Sequence, residues 1–156
     1  MLILTAILTL LTPPGMAASP ALEQRPAAAR VYVYTAQAPG GPVSEEEQGR
    51  LEALRDVQDA LGRRKKDFTL VPTAEEAELI VEVVNREERE APQGGFGGKS
   101  VSKFRDTIVR LHVKAGDDLS DMKGIGRGSW SSAAKDAVER LAKWVKNRRE
   151  RKTAGV

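Results

Sequence analysis

Residues 108–114 read IVRLHVK. The aliphatic residues Val109, Leu111 and Val113 alternate there with basic residues, and successive side chains of a β-strand point to opposite faces of a sheet. This period of two predicts a strand with one buried and one solvent-facing side. Residues 79–84 read LIVEVV and predict a buried strand, which we expect to pair with residues 108–114.

Two further strands and two helices are predicted around this pair. The runs at residues 31–35 and 68–71 are rich in β-branched and aromatic residues, which favours strands. Ser44 and Glu47 form a capping box, so a helix is predicted over residues 45–61. A second helix is predicted from about residue 131, with an apolar stripe at helical spacing that comprises Ala134, Ala137, Val138, Leu141, Trp144 and Val145.

The order of these elements, β-α-β-β-β-α, predicts an α+β fold with a four-stranded mixed sheet. The first crossover is long enough for a parallel, right-handed βαβ unit. Residues 72–78 are fewer than the dozen that a parallel crossover needs, so the third strand is expected to run antiparallel to the second. Both helices can cover one face of the sheet, which predicts a two-layer sandwich. The covered face is expected to carry Val31, Val33, Phe68, Leu70, Leu79, Val81, Val83, Val109, Leu111 and Val113.

The N-terminal segment has the order of a secretory signal. Residues 1–11 are almost entirely apolar, residues 13–15 would break a helix, and small residues follow at 17–19. We expect cleavage near residues 17–19 and a periplasmic or secreted location. The alternatives are a buried N-terminal strand or helix and retention of the segment as an anchor. The mature chain is expected to have no transmembrane span, because residues 1–11 are too few to cross a bilayer.

The remaining boundaries follow from composition. The chain of 156 residues has the length of one domain. We expect a signal segment at 1–18, a flexible linker at 19–29, a single α+β domain at 30–150 with a flexible Gly-rich hairpin at 86–106, and a disordered tail at 151–156.

Composition excludes several kinds of site. The chain has no cysteine, so it has no disulfide, thiolate metal site or cysteine nucleophile. The net charge is +3, and much of the basic charge lies in residues 135–152. Such a block can attract an anionic polymer, although a solvated helix face explains it as well.

Residues 68–83 carry a resemblance to a known group of domains. The run FTLV at 68–71, followed by AEEAELIVEV at 74–83, resembles small bacterial envelope domains related to the curli-secretion lipoprotein. Similar domains occur in penicillin-binding-protein activator lipoproteins and at the TolB N-terminus. The resemblance implies an α+β binding module of the envelope and transfers no catalytic residue. This chain lacks the lipid-bearing cysteine of the lipoprotein members.

Motifs of known chemistry are incomplete in this sequence. Residues 93–100 resemble a phosphate loop but begin with Gln93 and lead to a strand, whereas the motif precedes a helix. The acidic run at 117–121 lacks the glycine of a calcium loop. The sole histidine, His112, has no acid or thiol near it in sequence. We therefore expect no enzyme, no metal and no cofactor.

Two candidate binding sites remain. One is the sheet face opposite the helices, where strand alternation places Tyr32, Tyr34, Ile80, Val84, Ile108, Arg110, His112 and Lys114. Residues 117–129 are polar and Gly-rich, and we interpret them as a connection that leads to the second helix. The other, weaker candidate is an anion site in this connection, where glycine amides precede the helix, and it comprises Gly124, Gly126, Arg127, Gly128 and Ser129.

The leading hypothesis is a non-enzymatic exported binding module whose open sheet face meets a protein partner or a second copy of the chain. The plain alternatives for this face are that the long Gly-rich hairpin folds back over it, or that it is an ordinary amphipathic surface without a partner. The second hypothesis is a basic surface that binds an anionic polymer, either nucleic acid or envelope glycan, although nucleic acid is not our expected partner. A third is a hydrolase with an unrecognised site.

Overall fold

The computed structural model describes residues 27–36, 43–91 and 104–155. The predicted signal segment, linker residues 19–26 and residues 92–103 of the Gly-rich hairpin lie outside the described residues. The elements are β1 Ala29–Tyr34, α1 Glu45–Gly62, β2 Phe68–Leu70, β3 Leu79–Ala91, β4 Phe104–Ala115, β5 Asp118–Arg127 and α2 Trp130–Ala154.

The fold is α+β, as predicted, but the sheet has five strands in the order β2-β1-β3-β4-β5. Our expectation of four strands was wrong because we interpreted residues 117–129 as a Gly-rich connection. These residues form β5, which pairs antiparallel with β4 from Asp118 opposite Ala115 to Arg127 opposite Asp106. The inward-facing positions 124 and 126 of β5 are buried glycines. The sequence therefore lacks the alternation of aliphatic and polar residues that would have predicted a strand there.

The direction of β3 also differs from our expectation. β3 pairs parallel with β1, not antiparallel with β2, and β1 lies between the two. Val31 is the partner of both Leu70, where β2 ends, and Leu79, where β3 begins. The connecting residues therefore cross β1 sideways, over about 10 Å, without returning along a strand. The dozen-residue minimum applies to strands that overlap along their length, and these two do not.

Regular structure extends further than the predicted domain boundaries. β3 and β4 stay paired as far as Ala91 and Phe104, within the range where we expected a flexible hairpin. A register shift between Val83 and Asn85 interrupts the ladder. α2 continues to Ala154, beyond the predicted start of the tail, with i,i+4 ion pairs such as Lys146–Glu150 along its exposed side.

One hydrophobic core joins the sheet to both helices, as predicted. The inward residues of β1, β3 and β4 form a single buried cluster with Ala53, Val57 and Leu61 of α1 and with Ala134, Val138 and Leu141 of α2. The Ser44 hydroxyl accepts the Glu47 amide at 3.1 Å, which confirms the capping interaction that starts α1. Leu70 is the exception to the predicted buried face, since it is 41% exposed at the sheet edge.

The glycines of β5 allow α2 to pack directly on the backbone of the strand. A Cβ atom on Gly124 would lie 2.0 Å from the Ala133 carbonyl oxygen, and one on Gly126 would lie 2.4 Å from the Ser129 carbonyl oxygen. The buried Thr107 hydroxyl lies 2.9 Å from the carbonyl oxygens of both Gly126 and Ser129. The Asp136 carboxylate accepts the Ile125 amide at 3.0 Å. These contacts fix α2 against the edge of the sheet.

Candidate functional site

Six of the eight residues predicted for the interaction face lie together on the outer side of the sheet: Tyr32, Tyr34, Ile80, Arg110, His112 and Lys114. We call this surface the open face. Both helices contact the opposite side of the sheet, where the core cluster lies. Ile108 follows the same alternation but is only 6% exposed, so it offers little area to a partner. Val84 lies at the register shift of β3 and is half-buried.

β5 adds to the open face two residues that were not predicted for it, Leu119 and Asp121. Its register sets Leu119 beside Lys114 and Asp121 beside His112. Leu119 is 76% exposed, the most exposed large hydrophobic residue among those that the structure describes. The only signal in the sequence was the weak alternation of residues 118–123, which we interpreted as a polar connection.

An ionisable row crosses the open face from β1 to β5. Tyr34, Glu82, His112 and Asp121 are successive cross-strand partners. His112 Nδ1 lies 3.7 Å from a carboxylate oxygen of Glu82, and His112 Nε2 lies 3.4 Å from one of Asp121. Burial raises the pKa of the Tyr34 phenol, as do the negative charge of Glu82 and the hydrogen bond to that carboxylate. The row therefore places hydrogen-bond donors and acceptors at fixed positions across the open face.

An apolar strip lies beside this row. The rings of Tyr32 and Tyr34 stack with centroids 5.8 Å apart and planes 13° apart. A shallow cavity of about 260 Å³ continues from them across the sheet, and its lining includes Tyr34, Ile80, His112, Lys114, Leu119 and Asp121. Apolar surface with a polar border can accept an aromatic or aliphatic side chain and orient it by hydrogen bonds.

The residues of the predicted anion site have two different structural roles. Gly124 and Gly126 lie within β5 against α2. Gly128, at φ 66°, turns the chain into α2, and its amide donates to the Arg105 carbonyl oxygen at 2.9 Å. The Ser129 hydroxyl makes no capping hydrogen bond and lies 3.0 Å from the Ser131 hydroxyl. Anion binding there stays a prediction, and Arg127 is the exposed cation that it would use.

The described part of the chain has neither a metal-binding cluster nor a membrane-spanning helix. Within residues 27–36, 43–91 and 104–155, no group of three or more His, Asp or Glu side chains is arranged to hold a metal ion. Over the same part of the chain, neither helix combines the length and the apolar character that crossing a membrane requires.

The chain is similar to several solved structures at low sequence identity. The Nitrosomonas europaea uncharacterized lipoprotein B is 15% identical, with 76% of this chain and 82% of that chain covered and a TM-score of 0.41. PelC from Paraburkholderia phytofirmans, solved as a dodecamer, is 17% identical, with 76% and 88% covered and a TM-score of 0.38. The Thermus thermophilus Protein Y N-terminal domain is 16% identical, with 78% and 97% covered and a TM-score of 0.35.

No protein-family model and no curated protein sequence matches the chain.

Proposed function

We propose that this chain is a non-enzymatic, exported binding module that recognises a protein partner through its open face. The observation that carries the proposal is the stacked pair Tyr32 and Tyr34, beside Ile80 on the neighbouring strand. The 76% exposed Leu119 lies in the same cross-strand row as Tyr32 and Ile80, with Lys114 between Ile80 and Leu119. Large apolar side chains grouped on a sheet face that neither helix covers are typical of interaction sites.

The chemistry of the open face suits a protein partner. Tyr and Arg are enriched at protein interfaces because each combines apolar area with hydrogen-bonding groups. The open face has both types, since Arg110 lies beyond the ionisable row and is 48% exposed in its side chain. Glu82, His112 and Asp121 would set the register of the partner by directional hydrogen bonds, while the apolar strip would contribute most of the binding free energy.

Export is the second part of the proposal and depends on the N-terminal sequence. The apolar run at residues 1–11 and the small residues at 17–19 support a cleaved signal. Intact mass of the chain recovered from the periplasm or medium of a bacterial host is expected to lack residues 1–18. A recovered soluble product that keeps residues 1–11 would contradict this part.

The binding proposal is tested with the double variant Tyr34→Ala/Arg110→Ala and, separately, Leu119→Asp in the full chain. Both sets are exposed or half-exposed, so the fold is expected to persist. Capture of partners from envelope extracts, identified by mass spectrometry, is expected to lose the same protein with both variants. The matched control is Arg55→Ala/Lys135→Ala, which removes two exposed side chains from the helix layer.

Retention of every wild-type partner by both folded variants would show that the open face is not the interface. Light scattering on the same samples reports whether the lost partner is a second copy of the chain. A basic surface for anionic polymers remains the second candidate, favoured by the cations of α2. Binding to such a polymer would weaken steeply with added salt and would survive the open-face variants.

A further inference from the structure

Two large cavities of opposite charge lie on the helix side of the domain. The acidic cavity, of about 800 Å³, is lined by four carboxylates, Glu45, Glu46, Glu52 and Glu88, with Arg86 and Trp130. The basic cavity, of about 860 Å³, is lined by five cations, Arg64, Lys66, Lys143, Lys146 and Arg149, with three carboxylates among them. The apolar floor of the basic cavity includes Phe68 and Val145.

The two cavities lie at opposite ends of the helix layer. The acidic cavity is built on the first turns of α1 and on Trp130, the first residue of α2. The basic cavity is built on the turn after α1 and on the second half of α2. An 18-residue helix such as α1 is about 27 Å long. The charge of the domain is therefore separated along its length.

Most of the charges at both ends form ion pairs within the chain. At the acidic end Glu46 pairs with Arg50, Glu52 with Arg86 and Glu88 with Arg105. At the basic end Arg64 pairs with Asp67 and Arg149 with Glu78.

Within the residues that the structure describes, no ion pair engages Glu45 at the acidic end, or Lys65 and Lys66 at the basic end. Lys143 and Lys146 pair only with neighbours on their own helix and are 71% and 77% exposed. Exposed pairs of this kind are weak and exchange readily for other partners.

Compensation of helix dipoles explains only part of this separation. Acidic residues in the first turn of α1 suit the positive end of that helix. Glu88, however, comes from β3, and Lys66 comes from the turn before β2. Neither residue lies in the terminal turn of a helix. β3 also contributes Arg86 to the acidic cavity, and the turn also contributes Asp67 to the basic cavity. The acidic cavity still has four carboxylates against one cation, and the basic cavity five cations against three carboxylates, which suits binding of an oppositely charged surface.

We propose that the acidic cavity of one molecule docks onto the basic cavity of a second copy, so that the chain associates head to tail. The occupant of each cavity is then the other end of the same protein. An anionic polymer or an acidic peptide would account for the basic cavity alone and leave the acidic one without a role. A heterologous contact of this kind closes into a ring or continues as a filament.

The contact uses surfaces that the open face does not. None of the residues of either cavity belongs to the open face, which lies on the other side of the sheet. The assembled chain would keep the open face of every copy available to the protein partner. Head-to-tail association and partner recognition are therefore separable, and failure of one leaves the other standing.

Two charge-reversal variants of the full chain test the proposal by complementation. Glu45→Lys/Glu88→Lys reverses two negative charges of the acidic cavity, and Lys66→Glu/Lys146→Glu reverses two positive charges of the basic cavity. Their matched controls are Glu75→Lys/Glu76→Lys and Arg55→Glu/Lys135→Glu, which make the same changes in net charge at exposed residues outside both cavities. Circular dichroism melts establish that each variant folds, and sedimentation velocity measures mass.

The wild type and both controls are expected to associate at about 0.05 M salt, and the association constant is expected to fall about tenfold or more at about 0.5 M salt. Each end variant alone is expected to be monomeric. An equimolar mixture of the two is expected to associate, because one intact acidic end then meets one intact basic end and the two reversed ends are complementary as well.

Three results would overturn the proposal: a wild type that is monomeric at low salt, end variants that associate like the controls, or a mixture that stays monomeric. Binding of polyglutamate by a monomeric wild type, lost in the Lys66→Glu/Lys146→Glu variant, would assign the basic cavity to an acidic partner instead. The Tyr34→Ala/Arg110→Ala variant is expected to keep the head-to-tail association, which separates this test from that of the proposed function.

Discussion

Replacing Gly124 by alanine is expected to push α2 away from the sheet. The added Cβ atom would lie 2.0 Å from the Ala133 carbonyl oxygen and 2.5 Å from the Ala137 amide nitrogen. Ordinary van der Waals contact starts near 3.4 Å, so the local separation must grow by about 1.4 Å. Both obstructing atoms belong to the helix backbone, which cannot move aside as a flexible side chain can.

The expected cost follows from the packing that must be disrupted. Overpacking of a dense core typically costs about 1–3 kcal/mol, and a clash with two backbone atoms belongs at the upper end, so we expect about 3 kcal/mol. The shift would also lengthen the hydrogen bond between the Ile125 amide and the Asp136 carboxylate. Urea unfolding followed by circular dichroism measures the change in the free energy of unfolding.

Gly62 offers a matched control for the same chemical substitution. A Cβ atom there would meet nothing within 4 Å, and Gly62 is the last residue of α1. Gly62→Ala is expected to be neutral or to stabilise by up to about 1 kcal/mol, because alanine loses less backbone entropy in a helix than glycine. A Gly124→Ala variant within about 0.5 kcal/mol of the wild type would refute the packing argument.

Two further predictions concern the core and the open face. Leu141→Ala is expected to destabilise the domain by about 2–5 kcal/mol because Leu141 is fully buried. Trp144→Ala is expected to cost less, about 1–3 kcal/mol, because Trp144 is half-exposed. Equal urea midpoints for Leu141→Ala and the wild type would contradict the placement of Leu141 in the core. Tyr34 is expected to titrate above its ordinary pKa, with burial as the main cause, and Glu82→Gln is expected to lower that pKa without restoring it fully. The pKa of Tyr34 is higher in the folded chain than in the unfolded chain, so the contribution of the protonated phenol to the free energy of unfolding is fully present below the unfolded-state pKa. That contribution is lost as the pH rises through the folded-state pKa of Tyr34. Spectrophotometric titration in a Tyr32→Phe background measures Tyr34 alone, and an unchanged pKa in Glu82→Gln would contradict the coupling.

Local signals in the sequence were sufficient to predict the elements whose inward side chains are apolar. The capping residues Ser44 and Glu47 located the start of α1, and the alternation around Val109 and Leu111 located β4. The stripe through Leu141 identified the buried side of α2. These elements follow from short-range chemistry, because side-chain period and capping act within a few residues of the chain. The same alternation assigned Tyr32, Tyr34, Ile80, Arg110, His112 and Lys114 to one face.

Only the tertiary structure decided the fifth strand, the direction of β3 and the composition of the ionisable row. Gly124 and Gly126 are needed because α2 approaches β5 backbone to backbone, and a residue without a side chain leaves no apolar period in the sequence. β3 can run parallel to β1 because Leu79, where β3 begins, pairs with the same residue, Val31, as Leu70, where β2 ends. This register is possible because β2 has only three residues. Asp121 reaches His112 because β5 pairs with β4, and Glu88 joins the acidic cavity because β3 packs against α1. Such contacts depend on how elements pack, which local patterns do not encode.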